Sequence, residues 1–242
     1  MATTPRTLAG RKREVEYPTS DGRPMAETET HARDMMDLIQ TLQDRFVADP
    51  DVYAWGNLLL FYERGDRRKH ISPDVFVVRG VPKEPPRDHY LIWKEGKSPD
   101  LVIEITSKTT KSEDQNKKWL LYRDVLKVAE YIQFDPNEDY LHPSMQGHRL
   151  IAGEYVPIEL IAHRLPSEVL GLHFEREGAE LRLFDPVTRR RLLTRAERIA
   201  KSETELERTV ELMEARDQLS RAEIERLRLE NEDLRKRLSG TS

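Results

Sequence analysis

Glu104 is the one acidic residue in the apolar run Leu101-Val102-Ile103-Glu104-Ile105, and Lys117 and Lys118 follow it in the next element. Alternate side chains of a strand share a face. Val102, Glu104 and Thr106 therefore project together, and Leu101, Ile103 and Ile105 project oppositely. A strand of this composition inside a β–α unit is expected to be covered on both faces. An ionised carboxylate in such a place is costly unless it is neutralised, paired or bound to a cation. A partner for Glu104 is therefore required.

The helix expected near residues 113–125 can supply one. At about 100° per residue, Tyr122 falls about 40° from Lys118, Val125 about -20° and Ala129 about 20°. Lys118 thus sits mid-way across the apolar face, while Lys117, at about -100°, lies near its edge. Asp114 and Gln115 flank Lys118 one turn earlier, and Ser112 with Gln115 suits an N-cap and capping box. A second carboxylate, Asp74, follows Pro73 and precedes the apolar strand 75–78.

Two carboxylates entering one sheet beside an inward lysine supply what phosphodiester hydrolysis needs. Carboxylate oxygens hold a hard divalent cation such as Mg²⁺ or Mn²⁺. The cation polarises a phosphoryl oxygen and acidifies a bound water. The lysine orients or helps deprotonate that water and stabilises charge in the transition state. The same residues also have a purely structural reading, as a buried Glu–Lys pair and an ordinary Pro-Asp turn.

These residues need elements to position them. Apolar residues recur at helical spacing from Glu27 to Phe46 (Met35, Leu38, Ile39, Leu42, Phe46), and Asp49-Pro50-Asp51 ends that helix. Tyr53–Tyr62 and Asp74–Val78 read as two strands of a hairpin about the loop ERGDRRKH. A strand at Leu101–Thr106, a helix at Glu113–Val125 and a strand at Glu130–Phe134 form a β–α–β unit. That order implies a crossover and a mixed sheet. HRLIAGEYVPIEL and LHFEREGAELRLFDP read as further hairpins, turning at Ala152-Gly153 and Glu177-Gly178.

From about Thr194 no Pro or Gly occurs until Gly240. Ile199, Leu206, Met213, Ser220, Leu227 and Leu234 fall at heptad position d, with Glu203, Val210, Asp217, Ile224, Asn231 and Leu238 at a. This is a coiled-coil pattern interrupted by the polar Asp217 and Ser220 layers. Leucine at d with a lone asparagine at a favours a parallel two-stranded pairing, so a homodimer is expected. A single charged helix in solvent is the plainer alternative. The arginines upstream alternate with Asp and Glu, which argues against a basic leucine zipper.

The 242 residues are 35% charged and 37% hydrophobic, and the charged share exceeds the roughly 25% of an average domain. Net charge is -4. From Arg189 onward there are 14 Lys and Arg against 12 Asp and Glu, leaving 26 against 32 before it. The body is acidic, so contact with a polyanion needs a local patch. Arg64, Arg67, Arg68 and Lys69 in one loop are one candidate, and Arg11, Lys12 and Arg13 are another. Both also read as ordinary solvated segments. With no cysteine, no long apolar run and no apolar N-terminal segment, a cytoplasmic protein without disulfides or membrane spans is expected. The seven histidines lack zinc-ligand spacing.

Pro73-Asp74, LVIEITS at 101–107, Lys118 and Tyr122, and EYIQFDP at 130–136 together resemble the Uma-type (Uma-two) "putative restriction endonuclease" family of the PD-(D/E)XK nuclease superfamily. The likeness covers roughly residues 27–136. It implies an α+β, restriction-endonuclease-like fold, a mixed sheet flanked by helices, here with a C-terminal coiled-coil helix. It also implies metal-dependent nuclease chemistry on a nucleic acid, with DNA the expected substrate. Asp74 matches the motif's Asp, and Glu104 its second acidic residue. The motif's usual lysine position is Thr106, and the resemblance implies that the lysine has moved to Lys118. The Ile105 carbonyl would complete a metal shell with Asp74 and Glu104. Glu27, ahead of Glu29, would supply a further acidic residue, Asp114 and Gln115 would support the site, and His31 stands where the family often has histidine.

The expected organisation is an N-terminal arm over 1–24, a nuclease domain over 25–188 and a coiled coil over 189–242. The alternative function is a catalytically inactive nuclease fold serving as a coiled-coil assembly module. A helix-turn-helix or basic region for a transcription factor is missing from the sequence.

Overall fold

The computed structural model describes residues 15–20, 22, 28–106, 113–139 and 141–239. Helix α1 (Glu29–Arg45) starts at Thr28, whose Oγ1 accepts the His31 N–H at 3.1 Å. Glu29 in its first turn and Arg45 in its last complement the helix dipole. Its buried stripe of Met35, Leu38 and Leu42, continued by Phe46, is the expected one.

Then come β1 (Val52–Trp55), β2 (Leu60–Phe61), β3 (His70–Ile71), β4 (Val75–Arg79), β5 (Tyr90–Leu91), the short α2 (Ile92–Glu95) and β6 (Leu101–Ile105). Helix α3 (Glu113–Leu120) runs into a π-helical turn, Leu121–Val125, ahead of β7 (Glu130–Phe134). Next follow β8 (Met145–Ile151), β9 (Glu154–Pro157), β10 (Leu165–Ser167), β11 (Leu172–Glu177), β12 (Glu180–Asp185) and β13 (Arg190–Arg191). Helix α4 (Arg195–Ser239) closes the described chain.

The main sheet has the order β1-β4-β6-β7-β8-β9, with β6 and β7 parallel and the other neighbours antiparallel. The fold is thus a mixed α+β one, as the β–α–β order implies. All five residues of β6 are buried. Leu101, Ile103 and Ile105 join the cluster of Met35, Leu38, Leu42, Val75 and Val77, whereas Val102 joins Phe76, Tyr122, Leu126 and Tyr131. Both faces of the central strand are therefore covered, α1 packing on one and the Tyr122 turn on the other.

The expected Tyr53–Tyr62 strand is split. β1 pairs with β4, but β2 leaves to form a separate sheet, antiparallel to β3 and parallel to β5. The break falls at Gly56, where a Cβ would overlap the Asp74 carbonyl oxygen, and Asn57 follows with φ 49°. Only glycine lets the backbone pass so close.

The two later hairpins part company. β8–β9 turns through Ala152 and Gly153, both at positive φ, and extends the main sheet. β10–β13 make their own four-stranded sheet, whose Leu165, Leu172, Phe174, Leu181 and Leu183 close the α1-side core.

Two compact units are present, Met1–Leu192 and Leu193–Ser242. The first reaches past Thr188, the expected boundary, because Arg190 and Arg191 pair with β12. Of the expected N-terminal arm, Tyr17 is anchored: its ring packs against Phe61 and Trp93, with centroids 4.9 and 5.2 Å away. The second unit is the 45-residue helix α4. Thr194 and Glu197 cap it reciprocally, Glu197 N–H to Thr194 Oγ1 at 3.3 Å and Thr194 N–H to Glu197 Oε2 at 2.7 Å. Among the described residues no helix is long and apolar enough to cross a membrane.

Candidate active site

Asp74 stands one residue before β4. The antiparallel register of β4 and β6, Val75 with Ile103 and Phe76 with Val102, continues by one step to set Asp74 against Glu104. Asp74 Oδ2 accepts the Ile105 N–H at 2.8 Å, so its carboxylate crosses the strand gap towards β6. The neighbouring Pro73 carbonyl accepts the Asn57 N–H at 2.9 Å and fixes the backbone.

Glu104 is 3% exposed. Its Oε2 is 2.9 Å from Lys118 Nζ, and its Oε1 accepts the Tyr122 hydroxyl at 2.6 Å. Lys118 and Tyr122 stand four residues apart on one helix face, the spacing that puts two side chains side by side. The face reading of the sequence put Lys118 inward, and its Nζ meets Glu104 here, but the helix is not α-helical throughout. Leu126 N–H bonds the Leu121 carbonyl at 2.9 Å, five residues back. Such π turns recur at functional sites, and this one carries the Tyr122 ring, 5.1 Å from that of Tyr131.

Burial raises the Glu104 carboxyl above its ordinary range, Lys118 opposes that rise, Asp74 adds to it, and the Tyr122 hydrogen bond opposes it. Burial, followed by the Glu104 charge, lifts the Tyr122 phenol well above its usual value, so it donates and does not ionise.

His31 also enters the site. Its Nε2 is 3.1 Å from Asp74 Oδ2, and the residue is 8% exposed. The Thr28 cap on its own N–H sets the ring's position in the first helical turn. Gln133 of β7 is a second buried polar neighbour, in register with Glu104 in the parallel pair. Reading β7 in register with β6 from the sequence would have found it.

The other expected residues divide as follows. Glu29 lies outside the cluster: its side chain is exposed and pairs with Arg33 at 3.3 Å. Glu27 lies outside the described residues. Asp114 and Gln115 are in the first turn of α3, and their side chains lie outside the described ones.

Among the described residues no three His, Cys, Asp or Glu side chains converge as a metal cage. Mg²⁺ seldom has one: it is commonly held by one or two carboxylates plus waters and phosphate oxygens. Asp74 and Glu104, with the Ile105 backbone between them, offer such a donor set. Each Glu104 oxygen accepts one hydrogen bond here and keeps a further lone pair.

No curated protein matches the chain. A crystal structure described as a putative nuclease belonging to DUF820, from Anabaena variabilis ATCC 29413, is similar over 60% of this chain and 75% of that one. It shares 18% identity, with a TM-score of 0.43. The family described as "Uma2: Putative restriction endonuclease" matches residues 5–197, most of the 242-residue chain, and the protein belongs to that family.

Proposed function

We propose that the protein is a Mg²⁺-dependent endonuclease that hydrolyses phosphodiester bonds of DNA at the Asp74, Glu104 and Lys118 cluster. The observation that carries this reading is that Asp74 reaches the Ile105 N–H, next to Glu104, whose own carboxylate has the Lys118 Nζ 2.9 Å away. Membership of a restriction endonuclease family supports the reaction class. Asp74, Glu104 and the Ile105 carbonyl would hold the cation, which supplies, when bound, charge neutralisation at a phosphoryl oxygen and a more acidic water.

This chain's residues do the rest. Lys118 carries protons at Nζ and is positioned beside Glu104 to orient a water or steady phosphoryl charge. Tyr122 fixes the other Glu104 oxygen, and His31 stands beside Asp74. Asp114, Gln115 and Glu27 are proposed as supporting residues around them. Helix α4 would join two copies as a parallel coiled coil, so that two centres address the two strands of a duplex.

Calorimetric titration of Mn²⁺ and Mg²⁺ tests the site, with Asp74→Ala and Glu104→Ala run alongside and cleavage of supercoiled plasmid as the second readout. Binding and cleavage by the wild type, lost in both variants, are the expected result. Cleavage that survives either substitution would refute the assignment.

One observation favours a second reading. Both Glu104 oxygens are already occupied by Lys118 and Tyr122, as in a polar network that holds a fold together without catalysis. An inactive fold of that kind takes up no Mn²⁺ at millimolar concentration and cuts no plasmid.

A further inference from the structure

The β2–β3 hairpin carries four basic residues within six positions, Arg64, Arg67, Arg68 and Lys69. All four are exposed. Only Arg68 is neutralised: its Nε and Nη2 donate to Asp66 Oδ1 and Oδ2, each at 3.0 Å. Arg64, Arg67 and Lys69 form no ion pair among the described residues, and Glu63 is the loop's one remaining carboxylate. In a body with more acidic than basic residues, a hairpin with four cations against two carboxylates is a local exception.

The loop is also held in shape, which a merely solvated loop does not require. Gly65, at φ +94°, donates its N–H to the Tyr17 hydroxyl at 2.7 Å. Asp66 caps the Arg68 N–H at 3.0 Å, Lys69 N–H bonds the Asp66 carbonyl at 3.2 Å, and His70 Nδ1 stands 2.8 Å from the Arg67 carbonyl. Tyr62 N–H closes the hairpin on the Lys69 carbonyl at 3.0 Å. A fixed backbone presents its cations with less ordering cost on binding.

The place of the hairpin gives these cations a target. β3 leads through Ser72 and Pro73 straight to Asp74. Lys69 is five residues ahead of Asp74, so their Cα atoms are at most about 18 Å apart. At 3.4 Å per nucleotide of one strand, that is a reach of roughly five base pairs. We propose that Arg64, Arg67 and Lys69 form a phosphate-tracking surface that seats duplex DNA beside the Asp74–Glu104 cluster. This rests on the nuclease reading and adds to it where the substrate backbone lies. Contacts of this kind set position without reading sequence.

The test compares wild type with the triple variant Arg64→Gln, Arg67→Gln, Lys69→Gln by fluorescence anisotropy on a labelled duplex, with Ca²⁺ in place of Mg²⁺, across a salt series. The three side chains are exposed, so the fold should be unaffected, and an unchanged urea midpoint checks this. The expected result is at least about a tenfold loss of affinity on every duplex. The slope of log K against log salt should also shrink by about 1 to 3, according to how many of the three meet phosphate. Wild-type binding with an unchanged slope in the variant overturns this surface and leaves the nuclease reading standing. A wild type that binds no duplex even at low salt overturns both. Mn²⁺ titration of the variant separates them further, because its affinity should match the wild type.

Discussion

Lys118 meets Glu104 from a different element, Nζ to Oε2 at 2.9 Å, although fourteen residues and a change from strand to helix separate them. The pair satisfies a buried carboxylate and, in the proposed reaction, would place a cation where phosphoryl charge develops. Its two roles separate experimentally. Lys118→Met keeps the side-chain bulk and removes the charge, and Glu104 can answer by taking a proton, since burial already raises its carboxyl. Turnover should fall by about 10² to 10⁴. Above the raised Glu104 range, where the carboxylate is ionised, Mn²⁺ affinity should change far less. Plasmid cleavage and calorimetry on the same preparation check this. Wild-type turnover would remove Lys118 from the chemistry.

His31 Nε2 stands 3.1 Å from Asp74 Oδ2 in a buried position. Partners that orient a metal-binding carboxylate typically matter by 10- to 100-fold in affinity or activity. His31→Ala should therefore weaken Mn²⁺ binding by about that factor while leaving the unfolding midpoint close to wild type. His31→Gln, which keeps a polar side chain beside Asp74, should recover part of the loss. Equal Mn²⁺ affinity in all three proteins would reduce the ring to packing.

How much of this was legible in the sequence varies with the range of the interaction that decides it. The alternation in 101–106 placed Glu104 correctly because strand periodicity is local. The face of Lys118 and Tyr122 was legible for the same reason, even though a π turn interrupts the helix, because both residues remain on the inward side. The change of character at about Thr194 was readable, and the Thr194–Glu197 capping box fixes where α4 starts. The split of the expected Tyr53–Tyr62 strand was not readable. It depends on Gly56 passing the Asp74 carbonyl, a contact between residues far apart in the chain. His31 was ambiguous, because a histidine in a first helical turn can cap, pack or point into a site, and only the approach of β4 decides among them.

Asp34 is a buried acid that sequence periodicity did not reveal. It is 3% exposed, and its Oδ2 has no hydrogen-bond partner among the described residues. Burial, then the charges of Glu180 and Asp37, raise its carboxyl to about 7, against the weaker pull of Arg33 and His31. In the unfolded chain the group titrates near 4. The folded state thus binds the extra proton, and the stability this group contributes is present below about pH 4 and lost as pH rises through 7. Asp34→Asn cannot titrate. Between pH 4 and 8 the wild type should therefore lose about 2–4 kcal/mol more than the variant. Urea unfolding at several pH values measures the difference, and parallel profiles would place the Asp34 carboxyl in its ordinary range.

Helix α4 exposes half or more of each of Ile199, Leu206, Met213, Ile224 and Leu234, and nearly half of Val210 and Leu227. At 1.5 Å per residue its 45 residues reach about 68 Å, and in the proposed homodimer its apolar seam would be buried on a second copy in register. Asn231 at position a costs stability in such a seam but pins a parallel register, because two asparagines facing each other can hydrogen-bond only when aligned. The Asp217 and Ser220 layers weaken the middle, so the pairing should depend on the C-terminal heptads. Leu227→Glu with Leu234→Glu places like charges in adjacent d layers and should convert a dimer to a monomer by light scattering, with the far-UV signature of the Met1–Leu192 unit retained. Asn231→Leu should raise the thermal midpoint of the helix while admitting higher oligomers. A dimer that survives the double glutamate change would have to be held by some surface other than this seam.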